Sequence, residues 1–326
     1  MKLTTRNRGG SGVKLRSDLY TILLIILLWF LLSAISAPFE ALGWWAGWYG
    51  GEVEPTVDTP SAPVRRSPAL NVSHYIVFLT GIAGAEQEVY LPREKEFLRR
   101  VADKVTGAVI VDDIFPYSVI NRALTHQRFF AWFWRYTVRR KERGGWGGFL
   151  INFRNLFQVA VSADFRYGPM YNQGSTALIL RSLKRYGYVV GSGIPVVLIG
   201  YSGGGQIALG SATYLKRQLK APIYVIGLGG VMCSDVGLEH IEHLYYIRGR
   251  RDTVHLIGPI FFPGRWPMMS GSYWNQAKAN GKITVIDMGQ MRHNGPGGYL
   301  DDDSFTENGQ SYLDTTVATI VGILSH

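Results

Sequence analysis

Residues 195–220 constrain the fold more than any other part of this chain. Pro195-Val196-Val197-Leu198-Ile199 is a short apolar run rich in β-branched residues, the composition of a strand buried on both faces of a parallel sheet. Gly200-Tyr201-Ser202-Gly203-Gly204 follows and reads G-x-S-x-G. Gln206 to Lys220 then has helical composition, with Ile207, Leu209, Leu215 and Leu219 as its larger apolar residues. Strand, glycine-lined turn and helix form one unit, in which the serine stands strained at the tip of a turn too sharp for neighbouring side chains. With 39 glycines in the chain, the bare pattern arises by chance roughly 0.3 times in such a composition, so the strand–turn–helix setting carries the argument.

The alternation continues on either side. Strands are expected at Tyr75 to Leu79, Ala108 to Val111, Ile223 to Leu228, Leu244 to Ile247 and Ile283 to Met288. Helices are expected at Pro92 to Val105, Tyr171 to Tyr186 and Tyr312 to Leu324. Apolar strands alternating with helices predict an α/β fold, a mostly parallel sheet with helices on both faces, over residues 69–326.

The N-terminus reads differently. Leu19 to Ala37 is a nearly unbroken apolar run of about the length a bilayer requires. Lys2, Arg6, Arg8, Lys14 and Arg16 precede it, so the positive-inside rule puts residues 1–18 in the cytoplasm and the rest outside. A transmembrane signal-anchor at 19–37 is the first reading. A cleaved signal ending near Ala34-Ile35-Ser36 is the alternative, which gives a secreted protein. Residues 38–68 then read as an interfacial aromatic segment, with Trp44, Trp45, Trp48 and Tyr49 at the outer headgroup level, followed by a proline-bearing tether from Glu52 to Pro68.

Residues 117–168 break the alternation and read as a cap-like insertion. Aromatics from Phe129 to Trp146 are interleaved with arginines from Arg122 to Arg154, a composition suited to contact with anionic lipid or to a cover over an apolar site. The net charge of +10 comes with no zinc-ligand spacing or RNA-binding signature, so nucleic acid is not an expected partner. The single Cys233 excludes an intrachain disulfide and a cysteine-based zinc cluster. His240 and His243 lack further ligands, and no metal site is expected.

A serine hydroxyl attacks only when a base takes its proton, and the base needs a third group to fix its tautomer. In this architecture the acid and then the histidine follow the serine, each on a loop after a later strand. Asp252 follows the strand at Leu244 to Ile247, and His293 follows the last strand. Asp235, after the strand at Ile223 to Leu228, is the alternative acid.

The order Ser202, Asp252, His293 within this alternation resembles the α/β-hydrolase superfamily over roughly residues 70–326. Gly249-Arg250-Arg251-Asp252 looks like its acid loop, and His293 followed by glycine looks like its histidine loop. Thr80-Gly81-Ile82 is similar to the loop that gives one oxyanion-hole amide, here Ile82, although Thr80 stands where a histidine often precedes the glycine. The second amide would be that of Gly203. The resemblance implies a serine hydrolase that cleaves a carboxylic ester through an acyl-enzyme on Ser202, with His293 as base, and requires no cofactor. The anchor and the aromatic insertion point to a lipid-like ester. Acyl transfer, thioester cleavage and peptide cleavage share the same triad, and a catalytically silent binding or scaffold protein of the same fold is the alternative of another class.

Overall fold

The computed structural model describes residues 10–47, 72–82, 90–118 and 147–325. Six strands form one sheet: β1 (His74–Leu79), β2 (Ala108–Val111), β3 (Val196–Tyr201), β4 (Ile223–Leu228), β5 (His243–Arg248) and β6 (Ile283–Asp287). Their order is β2-β1-β3-β4-β5-β6, and every neighbouring pair is parallel. The predicted α/β fold is therefore present.

Period-two alternation sends each strand's side chains to two separate cores. Tyr75, Val77 and Leu79 of β1 join Val196 and Leu198 of β3 on one face. Ile76 and Phe78 join Val197 and Ile199 on the other. The first face is covered by α3 (Gly147–Ala163), α4 (Gly168–Arg185), α5 (Gly204–Leu219) and α8 (Tyr273–Ala279). The second is covered by α2 (Pro92–Lys104), through Phe97, Leu98 and Val101, and by α9 (Tyr312–Leu324), through Leu313, Val317 and Ile320. Burial on both sides is why the central strands β1, β3 and β4 read as unbroken apolar runs. Between α5 and α8 lie two short helices, α6 (Gly237–His240) and α7 (Ile257–Phe261).

From β1 the chain passes to β2 on one side and then returns to β3 on the other. The carboxyl ends of β1 and β3 therefore flank a switch point, where loops leaving in opposite directions open a crevice.

Two N-terminal expectations are altered. Helix α1 spans Gly10–Trp45 with Pro38 inside it, so the helix runs past residue 37, the expected end of the anchor, into the interfacial aromatic segment. Its far end packs on the domain: Ala41 is fully buried, Trp44 lies against the same core, and the helix meets α3 and α4. Trp44 is thus a packing residue, while Trp45 is exposed; Trp48, Tyr49 and the expected tether from Glu52 to Pro68 lie outside the described residues. Leu19, Tyr20 and Ile22 to Leu28 are all exposed, and the side chains of 29–37 lie outside the described residues. Among the described residues no helix is long and apolar enough to cross a membrane.

Of the predicted insertion, residues 119–146, with most of the basic aromatic stretch, lie outside the described residues. The remainder is not a detached cap. Helix α3 buries Ile151, Val159 and Val161 and forms part of the domain's own covering layer.

Candidate active site

Ser202 directly follows β3, with Gly203 between it and α5, and its φ is +54°. Non-glycine residues rarely occupy this left-handed region, which costs about 1–2 kcal/mol for an L-residue. Two glycines make the turn possible. A Cβ on Gly200 would stand 2.5 Å from Gly205 Cα, and one on Gly204 would stand 2.2 Å from the Leu79 carbonyl oxygen. The second contact shows how closely the turn is pressed onto the end of β1. Main-chain bonds hold it there: the Ser202 N–H donates to Leu228 O at 3.0 Å, and Ser202 O accepts from Val231 N at 3.0 Å.

Asp252 and His293 arrive from the neighbouring strand ends, on the loops after β5 and β6. Main-chain bonds zip these loops together, from Arg250 N to Gly289 O at 2.7 Å and from Arg251 N to Met291 O at 3.2 Å. The side chains meet at 3.0 Å, His293 Nδ1 to Asp252 Oδ2. A carboxylate only accepts, so Nδ1 carries the proton and Nε2 is left as the basic nitrogen. Asp252 is fully buried but well supplied with donors: the Tyr299 hydroxyl donates to Oδ2 at 2.6 Å, and the Val254 amide donates to Oδ1 at 2.8 Å. Burial pushes this carboxyl upward, but the hydrogen bond and charge of His293, with the Tyr299 and Val254 donors, outweigh it and hold the group below the ordinary aspartate value. Gly229, at the end of β4, closes the back of the pair; a Cβ there would lie 2.7 Å from Asp252 Oδ2 and 3.0 Å from His293 Nδ1.

The two expected oxyanion residues are neighbours. A Cβ on Gly203 would stand 3.1 Å from the Ile82 side chain, and one on Gly81 would stand 3.1 Å from Ser202 Cβ. The loop after β1 is pinned by its carbonyls: Tyr117 Oη donates to Thr80 O at 2.7 Å, and Asn155 Nδ2 of α3 donates to Ile82 O at 2.9 Å. Among the described residues neither the Ile82 nor the Gly203 amide donates to a main-chain carbonyl. Among the described residues no hydrogen bond joins Ser202 Oγ to His293, whose one side-chain bond is to Asp252.

Asp235 is placed elsewhere. It accepts from Gly237 N at 2.8 Å and from Gln206 Nε2 at 3.1 Å, and so fixes the start of α6 without touching His293. His255 is buried beside the acid loop, and burial lowers its pKa. No group of three or more potential metal ligands occurs among the described residues. Sequence reasoning missed two residues that hold the pair. Tyr299 carried no signal, since its hydroxyl reaches Asp252 only through folding. Tyr201 was visible as the x of the motif, but its bond to the histidine loop was not.

A strained serine, a buried acid–imidazole pair and two neighbouring amides with no main-chain acceptor among the described residues are parts that nucleophilic attack on a carbonyl can use. Compared with models of known protein families and with curated proteins, the chain matches none.

Proposed function

We propose that this chain is a serine hydrolase of the α/β-hydrolase type that cleaves carboxylic esters. One observation carries the reading: strained Ser202 stands on the same sheet edge as a buried Asp252–His293 pair whose imidazole offers Nε2. In the proposed reaction Ser202 Oγ attacks the ester carbonyl carbon as His293 Nε2 takes the hydroxyl proton. Asp252 stabilises the imidazolium, and the Ile82 and Gly203 amides receive the charge on the carbonyl oxygen. The imidazolium returns its proton to the departing alkoxide. Water then hydrolyses the acyl-enzyme by the same proton route in reverse. Side chains and amides suffice, so no cofactor enters.

A lipid-like acyl group fits the segment after the acid loop, where Ile260, Phe261 and Met268 present exposed apolar side chains. The anchor reading rests on the sequence of 19–37, supported by the exposed apolar side chains at one end of that run. It puts the N-terminus in the cytoplasm and the catalytic domain outside. Protease added to cells stripped of any outer barrier should digest the domain; full protection would reject this topology.

The decisive experiment is labelling with a fluorophosphonate, which reacts only with an activated serine. The expected result is one labelled site, at Ser202, lost in Ser202→Ala. No labelling of the folded wild-type chain would overturn the hydrolase reading and leave a silent binding module of the same fold.

A further inference from the structure

The two loops that carry Asp252 and His293 alternate in and out. Asp252 and His293 are buried, while the residues just before them, Arg251 and Arg292, are exposed. Because the loops are zipped through Arg251 N and Met291 O, both guanidinium groups fall on one outer side. There they line a cavity of about 360 Å³ with Gln290, Ser304, Phe305 and Tyr312. This volume is in the range of small-ligand sites.

The charges around it decide its character. Among the described residues neither Arg251 nor Arg292 forms an ion pair. The nearby carboxylates are already engaged. Asp302 and Asp314 both bind Arg100, and Asp287 binds Arg250. Asp301 accepts from the Gly297 amide at 2.6 Å and from the Asp303 amide at 3.2 Å. The concavity thus holds two guanidinium forks that form no ion pair, beside the Gln290 amide and the Tyr312 hydroxyl, while the one carboxylate bonded to its lining, that of Asp301, is occupied by the Gly297 amide and the Ser304 hydroxyl. Phe305 is exposed beside them, offering an apolar face to whatever carries the anion.

We propose that this cavity binds a phosphate ester, with Arg251 and Arg292 gripping the phosphoryl oxygens and Phe305 lying against the organic part. Planar guanidinium groups match phosphate oxygens two at a time, which a lone ammonium does not. The site is separate from Ser202 and does not depend on any activity there. A soluble phosphate ester and an anionic phospholipid headgroup present the same chemistry to it.

The test uses the full chain in neutral detergent. Equilibrium dialysis with radiolabelled inorganic phosphate is run at constant ionic strength set with chloride. Saturable binding is expected in the wild type, weakened about tenfold or more in Arg251→Gln/Arg292→Gln, since each substitution removes charge-assisted hydrogen bonds. The single Arg292→Lys variant, which keeps the charge but loses the fork, should fall between the two and serves where the double variant does not fold. No saturable binding to the wild type, or undiminished binding to the variants, would overturn the proposal. Displacement of bound phosphate by glycerol phosphate identifies a soluble ester as the occupant. Displacement only by micelles doped with phosphatidylglycerol, and not by phosphatidylcholine, identifies a headgroup.

Discussion

The hydroxyl of Tyr201 donates to the main-chain carbonyl of His293 at 2.6 Å, and its ring stacks on the imidazole at 5.3 Å between centroids. The residue immediately before the candidate nucleophile therefore holds the loop of the candidate base. Tyr201→Phe keeps the stacking and removes the bond. We expect kcat on a short-chain ester to fall about tenfold with little change in KM, because the loss is in orientation and not in substrate contact. Steady-state kinetics on the folded variant check this, and an unchanged kcat would reduce the contact to packing.

Ser202 separates strain from chemistry. Ser202→Ala and His293→Ala should each lower esterase activity by about 10⁴-fold while leaving the chain folded. Ser202→Gly should be equally inactive yet more stable than the wild type by about 1 kcal/mol, since glycine accepts φ of +54° without penalty. Denaturant titration of the three proteins measures the difference. A glycine variant no more stable than the alanine variant would show that the turn is unstrained.

The two aspartates should respond differently to the same change. Asp252→Asn keeps the shape but leaves an amide that can donate toward His293 Nδ1. The imidazole then favours the tautomer with its proton on Nε2, where it cannot accept from Ser202; a loss of about 10⁴-fold is expected. In Asp235→Asn the amide oxygen still accepts from Gly237 N, so activity should stay within a few-fold of wild type. A larger loss from Asp235→Asn than from Asp252→Asn would reverse the assignment of the acid.

Glu94 gives a pH prediction. Its fully buried carboxylate accepts from the Thr80 hydroxyl at 2.5 Å and from the Leu91 amide at 3.0 Å, directly behind the loop after β1. Burial raises its pKa; the Thr80 and Leu91 donors and the charge of Arg93 offset only part of that. A folded-state value above the unfolded one means that the folded chain binds the proton more tightly. The resulting stability is fully present below the unfolded value and is lost as pH rises through the raised one. In Glu94→Gln the amide oxygen can take the Leu91 N–H and the amide nitrogen can donate to Thr80, at every pH. The melting temperature of this variant relative to wild type should therefore climb between pH 4 and pH 7, as followed by scanning calorimetry. A constant difference would contradict the raised pKa.

The middle of the sheet was legible in the sequence because its strands are buried on both faces. Runs such as Val196 to Tyr201 and Ile223 to Leu228 contain little that could stand in water, so pattern and environment agree. The elbow was legible because steric exclusion acts on residues adjacent in sequence, as at Gly200 and Gly204. The choice between Asp235 and Asp252 was not settled there, since both follow strands and only the packed loops decide which one faces His293. The continuation of α1 past Pro38 ran against the local signal: packing of Ala41 and Trp44 on the domain outweighs the hydrogen bond that a proline removes. Tyr299 and the paired arginines were invisible for a similar reason. Each acts through a partner far along the chain, and no short pattern records such a meeting.

The bonded acid and histidine loops have a mechanical consequence. Three main-chain bonds join them, counting Met288 N to Arg248 O at 2.9 Å. Asp252 and His293 are therefore carried on one bonded unit, which the Tyr201 hydroxyl ties to the elbow that bears Ser202. The acid–imidazole contact is set by bonds between its own two loops, so the tautomer of His293 is fixed independently of the side chain at position 202.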